Sequence, residues 1–318
     1  MPELSALDRA YPDSAPDPAA RERARIALLE HVERRPQRVR LSRRALLPAA
    51  GLACAVGAVA VALVGVGNDA AIDARAASML REAAVKARAQ APLPPVGRGR
   101  VLYVKSVDAY MATWADRGNF SVRVPHVREI WLGPDGGLLR SSSGEPEFLS
   151  ERDRQRWIAA GRPVLREGNG STKLEKQPPS DLPTDPDALF ARLEDAARGH
   201  SKGTYVEMFT LVGDAFRETN VRPAQRAALY EVAARLPGVE LVGQVRDSVG
   251  RQGVAVAMEE RDDGIRHTLV IEPKTGTLLA EEQATLAKNV FRYPAGTVIG
   301  RSTYLDTRMV TAVGAQPK

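Results

Sequence analysis

The chain has 318 residues, with 45 Lys and Arg against 39 Asp and Glu, for a formal charge of +6. One cysteine excludes a disulfide framework and any cysteine-based zinc site. Aromatic residues at 5% argue against stacking platforms for single-stranded nucleic acid, and no nucleic-acid partner is expected.

Residues 1–44 are too few for a conventional independent core. Tyr11–Pro16 is rich in breakers, and Asp17 then makes an N-cap with Pro18 at the first helical position. A helix is expected over Ala19–Arg35, with Ile26, Leu29 and Val32 on or near one face and Pro36 at its end. Those three are the candidate partner-binding residues. Such a helix docks on a protein, lies on the inner leaflet, or serves as a weakly ordered spacer.

Ala45–Gly67 carries no charged side chain. At about 1.5 Å per residue it reaches roughly 34 Å as a helix, enough for a bilayer core of about 30 Å. Arg34, Arg35, Arg38, Arg40, Arg43 and Arg44 precede it without an acid among them, and Asn68 and Asp69 follow it. That asymmetry orients the span with the N-terminus cytoplasmic and the rest outside. The same arginines are attracted to anionic lipid, so they explain part of the basic balance without nucleic acid. Ser42–Leu47 is also a weak twin-arginine export pattern, and Leu52-Ala53-Cys54 an imperfect lipobox. The run continues apolar to Val66, so it reads as a permanent anchor with Cys54 buried in the bilayer. Ala49, Ala53 and Gly57 fall four apart, a spacing that permits close helix pairing.

Beyond the span, Ala70–Ala91 is helical by period, with Ile72, Ala76, Met79, Ala83 and Ala87 recurring at threes and fours. Val101–Val104 and Val127–Leu132 are strand candidates, Gly133–Gly137 a turn and Ser141–Pro146 a loop. Asp185-Pro186 opens a helix with Leu189, Leu193 and Ala197 on one face. Tyr205, Phe209, Val212 and Phe216 form a second stripe, and Pro223–Leu236 a third helix. Val239–Val245, Val254–Met258, Thr268–Ile271, Thr277–Ala280 and a run over Thr297–Val313 complete a strand series. Strands, then helices, then strands give an α+β domain with a mainly antiparallel sheet packed on helices. The expected layout is a short cytoplasmic segment over 1–44, a transmembrane helix over 45–67 and an extracytoplasmic domain over 68–318.

Catalytic motifs are absent from the sequence. It has no G-x-S-x-G elbow, no H-E-x-x-H and no phosphate-binding glycine loop. His31, His126, His200 and His267 are scattered without ligand spacing, so no metal site and no cofactor are expected. Asp262-Asp263-Gly264 reads as a hairpin turn. Glu281-Glu282 is an adjacent carboxylate pair, read as a solvated strand end rather than an acid–base centre. Asn119 and Asn169 head N-x-S sequons. The expected function is non-enzymatic.

Several phrases carry a resemblance: REIWLGPDGG at 128–137, DLPTDPDALFARL at 181–193, RAALYEVAARLPGV at 226–239, GRQGVAV at 250–256 and VIEPKTGTLLAEE at 270–282. Together with the layout they resemble a largely uncharacterised family of actinobacterial single-pass membrane proteins associated with extracytoplasmic-function sigma factors. The resemblance covers Leu4–Glu282. It implies a regulator or sensor of anti-sigma type at the cell membrane, with the bilayer and a cytoplasmic sigma factor as partners. In element order the outer domain is also similar to lipoprotein-carrier half-barrels and to the periplasmic regulator of an envelope-stress sigma pathway. That implies the alternative of a membrane-anchored module with a lipid or lipoprotein ligand outside.

Overall fold

Strand-forming sequence brackets three consecutive helices, and the chain folds so that the strands on both sides of them share one sheet. The computed structural model describes residues 71–115, 118–165, 169–176, 180–217 and 221–317. The Asp17–Arg35 helix, the 45–67 span, Ile26, Leu29, Val32 and the six orienting arginines lie outside the described residues. Among the described residues no helix is long and apolar enough to cross a membrane.

The described strands are β1 (Val101–Trp114), β2 (Phe120–Arg123), β3 (His126–Gly133), β4 (Gly136–Ser143), β5 (Glu147–Phe148), β6 (Gly170–Leu174), β7 (Glu240–Arg246), β8 (Gln252–Glu260), β9 (Ile265–Glu272), β10 (Thr277–Thr285) and β11 (Val298–Val310). The helices are α1 (Ala74–Arg88), α2 (Glu151–Ala159), α3 (Pro186–Ala197), α4 (Thr204–Phe216) and α5 (Pro223–Ala233). The sheet order is β6-β4-β3-β1-β11-β10-β9-β8-β7, with β2 and β5 attached beside β1. Each pairing along it is antiparallel, including the central β1–β11 ladder from Val101↔Val310 to Tyr110↔Gly300. The last strand thus closes against the first. The expected mixed fold with an antiparallel sheet packed on helices is the one observed.

Helices α1, α3, α4 and α5 cover the β7–β10 half of the sheet. Leu80, Leu189, Met208, Phe209, Leu229 and Val232 meet Val256, Met258, Leu269 and Ile271 in one buried cluster. Each such side chain contributes about 1.5–3 kcal/mol on burial, which makes this cluster the main source of stability. Asp73 caps α1 by accepting from Arg75 N at 2.8 Å, and its other oxygen accepts from Leu241 N at 3.2 Å. One side chain therefore starts the helix and ties it to β7. Asp185 caps α3 in the same way, accepting from Ala188 N at 2.9 Å, with Pro186 at the first helical position.

Several expectations are corrected. Ile72 is 51% exposed and outside the helix, and Leu80 takes its place in the core. Tyr205 is 43% exposed, while Met208 is buried. Ser141–Ser143, expected as loop, continue β4 by pairing with Arg128, Val127 and His126. β1 runs to Trp114 because its polar interior is answered: Asp108 accepts from Arg128 Nη1 at 2.9 Å. The Asp262-Asp263-Gly264 turn is where expected, between β8 and β9, with Gly264 at φ 72°.

Candidate functional site

Glu281 and Glu282 are neighbours in sequence and strangers in space. Successive β10 side chains point to opposite faces of the sheet, and both groups are largely buried, with burial raising both pKa values. The solvated strand end expected from sequence is therefore overturned. Glu281 faces α4, and Glu282 faces β2 and β5.

On the α4 side, Glu281 Oε2 accepts from Arg217 Nη2 at 3.1 Å, and Oε1 takes a short hydrogen bond from the Tyr304 hydroxyl. Arg217 also meets Asp214 Oδ1 at 3.1 Å. Burial alone would weaken the guanidinium's charge. Glu281, Tyr110 and Tyr304 together outweigh it and hold the Arg217 pKa above its ordinary value. Burial and then Glu281 push Tyr304 well up, so it stays protonated as a donor. Beside this group lies a cavity of about 220 Å³ whose wall includes Tyr110, Asp214, His267 and Gln283. Tyr110 Oη and Ser302 Oγ are 2.8 Å apart. Burial raises the Tyr110 pKa, so the phenol stays protonated at neutral pH.

Gly213 makes this arrangement possible. A Cβ there would stand 2.5 Å from Glu281 Oε2 and 3.3 Å from Leu269 Cδ2. In an exposed helix Gly→Ala gains about 1 kcal/mol. Here the carboxylate is pinned by two donors and cannot swing away. Gly213→Ala is expected to lower stability by about 1–2 kcal/mol, read as the shift of the urea midpoint.

On the opposite face, Glu147 bridges Arg123 Nη2 at 2.9 Å and Arg301 Nη2 at 2.6 Å. Burial raises the Glu282 pKa, and the Arg301 and Arg123 charges oppose that rise. Two arginines and two glutamates balance. The cluster clamps β2 and β5 to β11.

His267, which has no ligand spacing in the sequence, meets Glu260 in the fold. Met258 is the direct cross-strand neighbour of His267, which puts Glu260 on the diagonal of the same face. Glu260 Oε2 lies 2.8 Å from His267 Nε2, with side chains only 2% and 7% exposed. Burial raises Glu260 to about 7, against Lys202 and helped by Asp263. Burial and Lys202 lower His267 to about 4.

Chemically, the pieces form a charged seam between helix layer and sheet. The acids are matched to arginine, tyrosine or histidine. Arg217 and Tyr304 were invisible as site residues in sequence, being far from Glu281 along the chain and lying at the ends of apolar stripes. Among the described residues no three His, Cys, Asp or Glu side chains gather as a metal site.

No protein-family model and no curated protein matches the chain. Among solved structures it is similar to the Pseudomonas aeruginosa MucA/MucB complex, at 15% identity over 77% of this chain and 59% of that one, with a TM-score of 0.24. It is also similar to MucB in complex with MucA(peri), at 15% identity over 76% of this chain and 57% of that one, with a TM-score of 0.23. The chain thus spans less than two thirds of the solved chains it matches, and a likeness at this level says nothing of what this chain binds.

Proposed function

We propose that the chain is a non-enzymatic single-pass membrane protein, a regulator of anti-sigma type that links an envelope cue to a cytoplasmic sigma factor. Segment 45–67 crosses the bilayer, the arginines from Arg34 to Arg44 hold the N-terminus inside, and the domain over 68–318 lies outside. Ile26, Leu29 and Val32 form the face that meets the sigma factor. The observation that carries this reading is the uncharged 45–67 run with six arginines on one flank and none of the chain's acids inside it. The regulatory part rests on the resemblance of the phrases at 128–137, 181–193, 226–239, 250–256 and 270–282 to sigma-associated membrane proteins. The seam around Glu281 fits a role as internal support, because its acids are already neutralised by protein groups.

Deleting Met1–Arg40 is expected to change transcription from the sigma factor's own promoters while leaving the outer domain folded. Unchanged transcription would sink the reading. A second reading, a membrane-anchored module binding a lipid or lipoprotein outside, is favoured by one observation: a cavity of about 290 Å³ has Leu93 and Val104 in its wall. There the N-terminal segment serves insertion alone.

A further inference from the structure

The sheet forks. β10 and β11 pair from Ala284↔Val298 only as far as Ala280↔Thr303. Beyond that point β10 stays with β9 to Thr277↔Glu272, while β11 stays with β1 to Val310↔Val101. Arg251 fills the crotch. Its Nη2 donates to Leu279 O at 3.1 Å and Tyr304 O at 2.8 Å, two carbonyls at the point of divergence. Arg251 is itself neutralised by Asp247 at 2.6 Å.

The 290 Å³ cavity opens at this fork, between the sheet, the segment after α1 and the first turn of α5. Its volume is near the lower end of small-molecule sites. Arg226, from α5, lines it. The guanidinium is largely buried, and desolvation lowers its pKa. Its Nη2 donates to Gln90 Oε1 at 3.2 Å, and its Nε is buried with no partner. Among the described residues no carboxylate pairs with it. Gln90 is held in place by its own bond from Nε2 to Thr275 O at 2.6 Å. The one acid in the described wall, Asp306, is held by Arg308 Nε at 2.8 Å. Arg222 stands exposed at the rim, also without a carboxylate among the described residues.

A buried cation with no counterion is costly, and the cost is removed by an anion brought in from outside. Apolar wall adjoins the charge. Leu93 and Val104 belong both to the cavity and to the apolar cluster that continues through Ile130 and Leu139 across the sheet.

We infer that this cavity binds a small organic monoanion, a carboxylate or phosphate diester carrying an aliphatic tail. Arg226 pairs with the head, Arg222 guides it in, and the tail lies along Leu93 and Val104. The inference deepens the proposed function by naming what the outer domain takes up. It is read on binding by the chain alone, so it stands or falls separately from any effect on transcription.

The test is calorimetric titration of the intact protein in bilayer nanodiscs, with empty nanodiscs subtracted. Octanoate is the probe, compared with octanol, acetate and inorganic phosphate. Octanoate is expected to bind at one site, with octanol, acetate and phosphate each about tenfold weaker or more. Arg226→Met should weaken octanoate by about tenfold or more, and Leu93→Ser should weaken octanoate while leaving acetate unchanged. Without ligand, Arg226→Met should unfold at the same or a higher urea midpoint, because it removes an unpaired buried charge. Octanoate binding that survives Arg226→Met overturns the inference. So does phosphate binding as tightly as octanoate, or a lowered midpoint in the unliganded variant, which would make Arg226 a structural prop.

Discussion

Replacing Arg217 by Met is expected to cost about 3 kcal/mol of stability, and adding Glu281→Gln to it should recover most of that loss. The reason is the asymmetry between losing one partner of a buried ion pair and losing both. Glu281 is 14% exposed at its side chain and faces the body of α4. Without Arg217 it must either keep an uncompensated charge or take up a proton. The Tyr304 hydroxyl remains as its one strong donor. A glutamine at 281 carries no charge and still accepts from Tyr304, so the double variant has little left to lose. Tryptophan emission during urea unfolding is the measurement, since Trp114, Trp131 and Trp157 are all in the folded domain. A double variant no more stable than Arg217→Met would contradict the coupling.

The second large effect is a pH dependence that the intact protein hides. Glu260 is raised from 4.5 to about 7, so the stability it contributes is full below 4.5 and lost as pH rises through about 7. His267 is lowered from 6.5 to about 4, so its contribution is full above 6.5 and lost as pH falls through about 4. The two windows overlap with opposite signs. Between pH 4.5 and 6.5 the unfolded chain holds one proton on the imidazole, and the folded pair also holds one, wherever it sits between the two groups. Stability is therefore flat there for the pair as a whole. His267→Gln leaves Glu260 alone, and the variant should lose up to about 3 kcal/mol between pH 4.5 and 7 relative to wild type. Glu260→Gln leaves His267 alone, and that variant should lose a similar amount, about 3 kcal/mol, as pH falls from 6.5 to 4. Lys202, Glu207, Asp214 and Asp263 surround the pair and remain in both variants, so differences from wild type isolate it. Parallel profiles for all three proteins would refute the shared proton.

Element type was legible wherever period and caps agreed. Asp185-Pro186 announced α3, and the glycine after Asp262-Asp263 announced the β8–β9 hairpin. What escaped was structure whose justification lies far along the chain. The polar middle of β1 looks unlike a strand until Arg128 is placed against Asp108. Ser141–Ser143 look like loop until β3 supplies their partners. α2 did carry a local sign, since Ser150 accepts from Asp153 N at 3.1 Å in a cap three residues long. The site was less legible still. Adjacent glutamates suggested a pair, yet strand alternation sends them to opposite faces, and the groups that tune Glu281 come from α4 and β11. In sequence Arg226 is not set apart from the rest of the Pro223–Leu236 helix, and only the fork of the sheet turns it into a largely buried cation.

The most direct measurement is crosslinking of the intact protein in its own membranes, followed by mass spectrometry of the captured partners. Capture of a sigma factor that is lost when Ile26 and Leu29 are changed to Asp would establish the N-terminal helix as the working end. Capture of no sigma factor, or of one indifferent to those two changes, would contradict the proposed function and place the protein's work outside the membrane.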